Sequence, residues 1–386
     1  MNDKLSEMKN KIQAQDFHLK GLALMREKRW AEAATTFNAS ISLYPGIAEV
    51  WVCKGVSLVS LGQVNEAIYC WDKALELDPK HKEAWHNKAE ALDLLGKYHE
   101  ALQAYNSLLQ LDSKDPGAWN AKGKILLNIK HYNESIEAFN KALKLAPNHF
   151  DALCDKSQAL YEIGQYKEAL KVFAKIMKLN PRHAGVWSNL GMIYDELGDY
   201  EKAISAYDMA LKLNPGSWES WQNKGSALCS LDKYADALLA YQNALSLNPN
   251  HLAIWHNMSK AYAGLGLYNE AVDACERAIS LNPNFADAWS RKSCVFLTME
   301  KYLDALHASD TAIHLNSNFT EAWANRGAAL HALCRYSDAI ESCNNALQLN
   351  PNQPSVWHNL GLSLDKLGYK NDAEKAFKEA KSLGYK

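Results

Sequence analysis

The chain has 386 residues, of which 48% are hydrophobic and 22% charged, and its formal net charge is −2 at pH 7. This near balance argues against a protein that binds nucleic acid by neutralising phosphates, because such proteins concentrate basic charge. Ten prolines and nineteen glycines leave no room for a low-complexity linker.

Residues 1–13 predict a helical extension or cap. Leu5, Met8 and Ile12 recur at i, i+3 and i+7, and no proline separates them from the following segment. The first residues lack the apolar run of a secretory signal. No stretch approaches the roughly 20 apolar residues of a membrane-spanning helix. We therefore expect one long N-terminal helix, a cytoplasmic protein and no membrane insertion.

From residue 14 the sequence repeats with a period of 34 residues. We number each repeat so that its recurrent tryptophan is position 4, and eleven repeats then start at residues 14, 48, 82, 116, 150, 184, 218, 252, 286, 320 and 354. Position 8 is always Gly, Ala or Ser, position 20 is Ala in ten repeats, position 30 is always Leu and position 32 is Pro in eight. The position-4 tryptophans are Trp51, Trp85, Trp119, Trp187, Trp221, Trp255, Trp289, Trp323 and Trp357.

Each repeat predicts two helices, at about positions 1–14 and 18–31. In six repeats an Asn-Pro or Asp-Pro turn closes the unit, because proline cannot continue a helix. Positions 4, 8 and 11 share one face of the first helix. Small residues at positions 8 and 20 would let the two helices approach closely. We expect Trp at position 4, Tyr at position 17 and Leu at position 30 to lie in the core. Cys275 and Cys343, which replace an aromatic residue at position 24, should be inert packing thiols.

This pattern resembles the tetratricopeptide-repeat (TPR) family, whose 34-residue helix–turn–helix carries W-x2-L-G-x2-Y, A-x3-F and a late proline. The resemblance covers residues 14–386 without insertion or deletion. It implies an all-α, right-handed superhelical solenoid of about eleven repeats, with the first helices lining a concave groove. One departure is position 7, usually Leu in the family but mostly Lys here, as in Lys54, Lys88 and Lys122. We expect these stems to pack away from the groove with exposed ammonium groups; an anion-binding row is the alternative.

Positions 2, 5, 6, 9, 12 and 13 point away from the core seam, so they are the candidate binding surface. An Asn amide both donates and accepts, so a row of them can hold a peptide backbone. The row is similar to the asparagine-lined TPR superhelix of O-linked N-acetylglucosamine transferase, although this sequence has no transferase domain. The alternative is that Asn is simply a common surface residue of the repeat. The candidate peptide-binding residues at position 6 are Asn87, Asn189, Asn223, Asn257, Arg291, Asn325 and Asn359.

The same six positions carry thirteen acidic residues and five basic ones, a charge of −8 against −2 for the whole chain. Acids at position 2 also complement a helix N-terminus, which accounts for six of the thirteen. The remainder predict an acidic groove that favours a basic or neutral partner segment. The main acidic candidates are Glu83, Glu90, Asp93, Glu162, Asp195, Glu196, Glu219, Asp287 and Glu321.

The chaperone-binding carboxylate clamps of the TPR family need Lys and Asn in one repeat, and Lys and Arg two repeats further on. Only Arg291 matches, and Asp287 stands where its Lys partner should be. Binding of an acidic chaperone tail in that mode is therefore not expected.

No phosphate-binding loop, nucleophile elbow, metal motif or dinucleotide fingerprint occurs in the sequence. His331 and Cys334 are spaced as two ligands of four, without suitable partners. The eight cysteines form no CxxC pair, which suits reduced thiols. We expect no metal, no cofactor and no enzymatic activity.

The sequence therefore predicts a scaffold that binds an extended or helical segment of another protein. An alternative is a self-associating assembly scaffold, and a third is an enzyme whose groove site carries no known motif. Weak end-to-end association would use the last repeat, where Gly384 predicts a helix stop. The apolar residues expected to remain uncovered there are Leu364, Phe377, Ala380 and Leu383.

Overall fold

The structure is a computed structural model that describes residues 2–385, with side chains from residue 6 onward. It is all-α and divides into two compact units, Met1–Pro181 and Arg182–Lys386. Twenty-two helices occur in the described residues, two for each of the eleven predicted repeats. Most first helices cover positions 1–13 and most second helices positions 17–30, within one residue of the prediction at each end.

The first helices of the repeats are α1 Asn2–Arg26, α3 Ala48–Ser60, α5 Lys82–Leu94, α7 Pro116–Asn128, α9 Phe150–Glu162, α11 Ala184–Glu196, α13 Trp218–Ser230, α15 Leu252–Gly264, α17 Ala286–Thr298, α19 Thr320–Ala332 and α21 Pro354–Lys366. The second helices are α2 Trp30–Leu43, α4 Val64–Leu77, α6 Tyr98–Leu111, α8 Tyr132–Leu145, α10 Tyr166–Leu179, α12 Tyr200–Leu213, α14 Tyr234–Leu247, α16 Tyr268–Leu281, α18 Tyr302–Leu315, α20 Tyr336–Leu349 and α22 Lys370–Ser382.

The two helices of a repeat meet where position 8 faces the large residue at position 24. A Cβ built on Gly225 would lie 2.5 Å from the Tyr241 ring, and one built on Gly191 equally close to Tyr207. Both distances are too short for a real contact, so the ring occupies the space of the missing side chain. In repeat 8 the ring is replaced by Cys275, and the smaller thiol leaves room for Ser259, whose Oγ lies 3.0 Å from the Cys275 Sγ.

The position-4 tryptophans are half-buried rather than fully buried core residues. Their indole N–H groups explain this, because those of Trp357, Trp255 and the six tryptophans named below donate to the carbonyl at position 32 of the preceding repeat and must therefore lie at the edge of the core. The bond from Trp357 to the Pro351 carbonyl is 2.8 Å, and the one from Trp255 to Pro249 is 3.3 Å. The same bond is made by Trp51, Trp85, Trp119, Trp221, Trp289 and Trp323.

The prediction that every position-30 Leu is core was wrong. Leu77 and Leu247, for example, are 47% and 45% exposed. Position 30 is the last residue of the second helix, and it lies to one side of the buried stripe at positions 20, 24 and 27. Positions 20 and 27 instead carry buried small residues, such as Ala237 and Ala244. The predicted packing thiols Cys275 and Cys343 are buried.

A left-handed residue at position 15 ends the first helix in every repeat. Six repeats have Gly there, from Gly62 to Gly368, with φ between 70° and 84°. The other five have a side chain at a φ of 57° to 63°, which costs more than glycine in this region. These five residues are Lys28, Lys130, Asp232, Glu300 and Cys334.

Most successive first helices contact each other within each unit, for example α3 with α5 in the first unit and α17 with α19 in the second. No comparable contact joins successive second helices among residues 2–385. The first helices are therefore more closely spaced, and their exposed face is the inside of the curve of each unit. This face holds positions 2, 5, 6, 9, 12 and 13, the candidate binding surface.

The position-7 cations lie on the other side of the repeat, as predicted, but several of their charges are paired. Six of the eight stems cross the position-4 tryptophan of their own helix; the Lys224 Nζ, for instance, is 5.3 Å from the centre of the Trp221 ring. In four of these six, the head group reaches an acidic residue at position 25 in the second helix of the preceding repeat. Such ion pairs join Lys88 to Asp72, Lys224 to Asp208, Lys292 to Glu276 and Arg326 to Asp310, at 2.6–2.8 Å.

Helix α1 and the last repeat agree with the predictions only in part. α1 is the single long helix expected, but Met8 and Ile12 are 64% and 53% exposed, so they cover nothing in the described structure. Leu5 lies outside the residues whose side chains are described. In the last repeat Gly384 has a φ of 90°, as expected of a helix stop. Ala380 is buried, contrary to the prediction, and Tyr385 stacks on His358 with ring centres 4.3 Å apart.

We expect Gly225→Ala to destabilise the second unit. The new methyl group must displace the buried Tyr241 ring, and overpacking of this kind costs about 1–3 kcal/mol, more than the roughly 1 kcal/mol that alanine gains in a helix. Gly327→Ala is the matched control, because its neighbour is the small Cys343 Sγ at 2.8 Å. Guanidinium unfolding followed by circular dichroism should show a lower midpoint for Gly225→Ala than for Gly327→Ala. Equal midpoints would contradict the proposed role of the ring.

Candidate functional site

The position-6 row lies mainly on the first-helix face of the second unit. Asn223, Asn257, Asn325 and Asn359 are half-buried there, and Asn189 is exposed. Asn325 also takes part in packing, since its Nδ2 donates to the Ser290 carbonyl of the preceding repeat at 3.0 Å. The row is therefore not a set of free amides. At this position one N–H ties neighbouring first helices together, and the second N–H and the oxygen are what a ligand could use.

Asn87 is the position-6 amide of the first unit and lines a cavity of about 200 Å³. Its Nδ2 is buried and has no hydrogen-bond partner. The cavity walls are largely apolar and include Val56, Val59 and Leu94, with Glu90 beside them. Leu94 is 75% exposed. The arrangement can hold an apolar side chain while the amide donates to a neighbouring carbonyl.

The acidic side chains of the first unit have different environments. The His86 Nε2 lies 3.3 Å from the Glu90 Oε1, and this hydrogen bond raises the pKa of His86 and lowers that of Glu90. Burial raises the pKa of Asp93, although Lys124 opposes the effect. Glu83 and Glu162 are exposed. The first-helix face of this unit therefore presents carboxylates next to apolar surface.

Asp195, Glu196 and Glu219 lie toward the start of the second unit. Burial raises the pKa of Asp195, and the nearby Glu196 adds to the effect. Glu219 is exposed and accepts a hydrogen bond of 3.2 Å from the Ser217 hydroxyl just before helix α13. It therefore lies at a helix N-terminus, where the helix dipole favours a carboxylate.

Asp287, Glu321 and Arg291 converge on a second cavity of about 200 Å³ between α15, α17 and α19. His256 from α15 also lines it, with its ring 5.7 Å from Phe285 in an edge arrangement. The Nδ1 of His256 and the Nε of Arg291 are both buried and have no hydrogen-bond partner. Burial, with Arg291 nearby, lowers the pKa of His256 to about 4, so its ring is neutral at pH 7.

The thiols on the first-helix face are not activated nucleophiles. Burial, together with the Glu49 and Glu83 carboxylates, raises the pKa of the Cys53 thiol to about 12. Burial raises that of Cys154 to about 11, with Asp155 contributing. A nucleophilic cysteine needs the opposite shift.

The histidine and cysteine considered as a metal pair have other environments. His331 Nδ1 lies 2.9 Å from the Ser363 hydroxyl, and Cys334 is the exposed left-handed residue at the end of α19. The described residues contain no group of three His, Cys, Asp or Glu side chains that could hold a metal ion. None of the described helices is long and apolar enough to cross a membrane.

The sequence pattern did not single out His256 at position 5 or Val56 at position 9, although both positions belong to the candidate binding surface. A signal was available for the second cavity, because an Arg in place of Asn at position 6 departs from the neighbouring repeats. Whether such a departure opens a cavity depends on side-chain packing, which the period alone does not specify.

The stacked helix pairs and the polar inner face of each unit define a helical-repeat scaffold, a class whose extended inner surfaces bind other proteins. Family models support this assignment along the chain. Models of the single tetratricopeptide repeat match residues 218–251, 252–285, 320–353 and 354–383. The cytochrome c-type biogenesis protein H TPR domain matches residues 106–219, and the anaphase-promoting complex, cyclosome, subunit 3 matches residues 60–142. The chain is a tetratricopeptide-repeat protein.

The chain is also similar to solved structures. The APC/C hetero-tetramer Cut9–Hcn1 matches with a TM-score of 0.53 at 13% identity, covering 100% of this chain and 96% of that chain. Yeast Tom70 matches with a TM-score of 0.49 at 17% identity, covering 97% and 92%. YrrB, described as a TPR protein with an unusual peptide-binding site, matches with a TM-score of 0.45 at 24% identity, covering 48% and 96%. Comparison with curated protein sequences gave no significant match.

We expect Glu90→Gln to lower the pKa of His86, because the substitution removes the carboxylate that stabilises the imidazolium. Glu100→Gln, on the second helix α6 of the same repeat, is the matched control and should leave this pKa unchanged. Two-dimensional NMR of the histidine rings over pH 4–9 measures both. An unchanged His86 titration in Glu90→Gln would contradict the assigned pair.

The His86–Glu90 pair makes the free energy of unfolding depend on pH. The folded pKa of His86 lies above its ordinary value of 6.5, so the stability from its protonation is complete below that value and is lost as the pH rises through the folded pKa. The pKa of Glu90 is depressed, so its contribution is lost as the pH falls through the folded pKa. The pair should therefore stabilise the protein most in the mildly acidic range between the two.

Proposed function

We propose that this protein is a non-enzymatic scaffold that binds an extended or helical segment of a partner protein along its first-helix face. The segment is basic or neutral. The observation that carries the proposal is the row of half-buried amides at position 6 of the second unit, flanked by carboxylates on the inside of the curve. If this face only contacted solvent, many polar residues would serve equally well at position 6, and asparagine would not be expected to recur there.

The spacing of the row suits a polypeptide ligand. Neighbouring packed helices lie roughly 8–10 Å apart, and an extended chain advances about 3.3 Å per residue. An amide on each first helix would therefore meet about every third residue of an extended segment. Because an amide donates and accepts, it can bind the backbone whatever the side chains are. Carboxylates and local cavities would then supply the preference for particular residues.

Charge supports a basic or neutral segment. In the first unit, the six inward-facing positions carry seven acidic residues and two basic ones. In the second unit they carry six acidic and three basic residues. An acidic segment would be repelled by both faces, and complementary charge chiefly speeds association and sets specificity.

Two other functions fit less well. An enzyme using the cysteines would need a thiolate, and burial keeps Cys53 and Cys154 protonated. Association through the last repeat has less apolar surface to use than the sequence suggested, since Ala380 is buried and Tyr385 covers part of His358.

The eight free cysteines suit a reducing compartment, and we propose a cytoplasmic location on that ground.

We expect the double variant Asn223→Ala, Asn257→Ala to bind a partner segment at least tenfold more weakly. Two lost backbone hydrogen bonds of about 1 kcal/mol each account for this factor. Asn325 is left intact because it also ties two helices together. The probe is a fluorescent peptide selected from a random library against the wild-type protein, and fluorescence polarisation gives its affinity.

The matched control for this experiment is Asn269→Ala with Asn344→Ala. Both residues are exposed on second helices, α16 and α20, away from the first-helix face. This control should bind like the wild type. If the Asn223/Asn257 variant also keeps wild-type affinity, the asparagine row does not bind the ligand.

We expect peptides selected in this way to be basic or neutral, and the affinity of basic ones to fall as salt is raised from 50 to 500 mM. Salt screens exposed charge pairs, with a Debye length of about 10 Å at 0.1 M. Repeating the titrations at several salt concentrations measures the effect. Selection of mainly acidic peptides would contradict the assigned charge of the surface.

A further inference from the structure

The cavity around Arg291 differs from the rest of the inner face of the second unit. Position 6 is Asn in the two repeats before Arg291 and the two after it. Here the longer guanidinium extends into the cavity between α15, α17 and α19, beside His256, Ser290 and Asn325. We call this the Arg291 pocket. Its volume of about 200 Å³ suits one side chain rather than a length of chain.

Two polar atoms in the Arg291 pocket lack partners. The Arg291 Nε–H and the His256 Nδ1 are both shielded from solvent and make no hydrogen bond. A buried polar group without a partner is destabilising, and more so when it is charged. The Asn325 Nδ2, by contrast, already donates to Ser290. The pocket therefore offers an unused donor from Arg291 beside an unused ring nitrogen of His256.

The charge of the pocket restricts what can occupy it. Asp287 and Glu321 are exposed carboxylates in its lining, and Arg291 is the one cation among the described lining residues. His256 is neutral because its pKa is about 4. Lys260 acts on His256 but does not line the cavity. The net charge of the lining is therefore −1. A carboxylate or phosphate would meet two like charges for one opposite charge. An ammonium group has no acceptor, so it would leave the Arg291 Nε–H without a partner.

A neutral group that accepts on one side and donates on the other meets these conditions. We propose that the Arg291 pocket binds the side-chain carboxamide of a Gln or Asn residue in the partner segment. Its carbonyl oxygen accepts from the Arg291 Nε–H, and its NH₂ group donates to Asp287 or Glu321. The neutral His256 ring completes the wall. A side chain can enter end-on, whereas a backbone amide would have to bring two flanking residues into the same space. This inference rests on the proposed binding function and assigns its specificity at one position.

The first test uses capped amino acids and needs no knowledge of the partner. N-acetyl-glutamine methylamide, the isosteric N-acetyl-glutamate methylamide and N-acetyl-alanine methylamide are titrated into the full-length protein at pH 7. The Arg291 Nε–H resonance is followed by NMR and assigned with Arg291→Lys. We expect saturable shifts from the glutamine compound and at least tenfold weaker binding of the glutamate one. The alanine compound has only backbone amides, so equal shifts from it would assign the pocket to the backbone and overturn the proposal.

A second test inverts the specificity. Asp287→Asn with Glu321→Gln is isosteric and leaves Arg291 as the only charge among the described lining residues. This variant should prefer the glutamate compound over the glutamine compound, the reverse of the wild type. Arg291→Met should bind neither, while circular dichroism shows it folded like the wild type. Binding of the glutamate compound by the wild-type protein as tightly as the glutamine compound, or no shift with any compound, would overturn the carboxamide assignment. Because the peptide titrations of the Asn223/Asn257 variant do not depend on Arg291, they test the general binding function separately.

Discussion

The whole array depends on the small residue at position 8 of each repeat. In six of the seven repeats where it is glycine, a ring at position 24 occupies the space of the missing side chain, so the packing of that ring sets the separation of the two helices. This contact also fixes how each first helix is rotated about its axis. Once position 8 faces the second helix, positions 5, 6 and 9 must face the inside of the curve. The location of the binding surface therefore follows from a packing contact on the opposite side of the same helix.

The inner face serves for both packing and recognition. Asn325 shows this most clearly, because one of its N–H groups bonds to the Ser290 carbonyl while the rest of the amide remains available. Its surroundings hold it in one orientation before any ligand arrives. Binding then loses little side-chain entropy, which is a large part of the cost of forming a complex. The same sharing limits substitution, since a change at such a position alters the spacing of two helices as well as the ligand contact.

The fold could be predicted from the sequence nearly completely, because a 34-residue period repeats the same local preferences eleven times. The burial of individual residues was less predictable. Trp255 is drawn to the edge of the core by a hydrogen bond to Pro249, and Leu247 lies beyond the buried stripe because its helix ends there. The placement of the position-6 residues followed from helical geometry. The Arg291 pocket did not, because it depends on how side chains from three repeats fill one space.

The ion pairs on the outer side have a consequence for how such an array can change over generations. Each acidic residue at position 25 is followed, in the next repeat, by a cation at position 7 that neutralises it. Where position 7 is apolar, at Leu190, Met258 and Leu360, the preceding repeat has the uncharged Ala174, Gln242 or Asn344 at position 25. Two repeats with equivalent core residues therefore cannot always be exchanged, because the residues at positions 7 and 25 must also match those of the adjacent repeats. Suppose that a gene duplication or exchange placed the repeat with Met258 directly after the repeat with Asp310. The Asp310 carboxylate would then lie against an apolar side chain without a cation to pair with, so the order of the repeats is itself physically constrained.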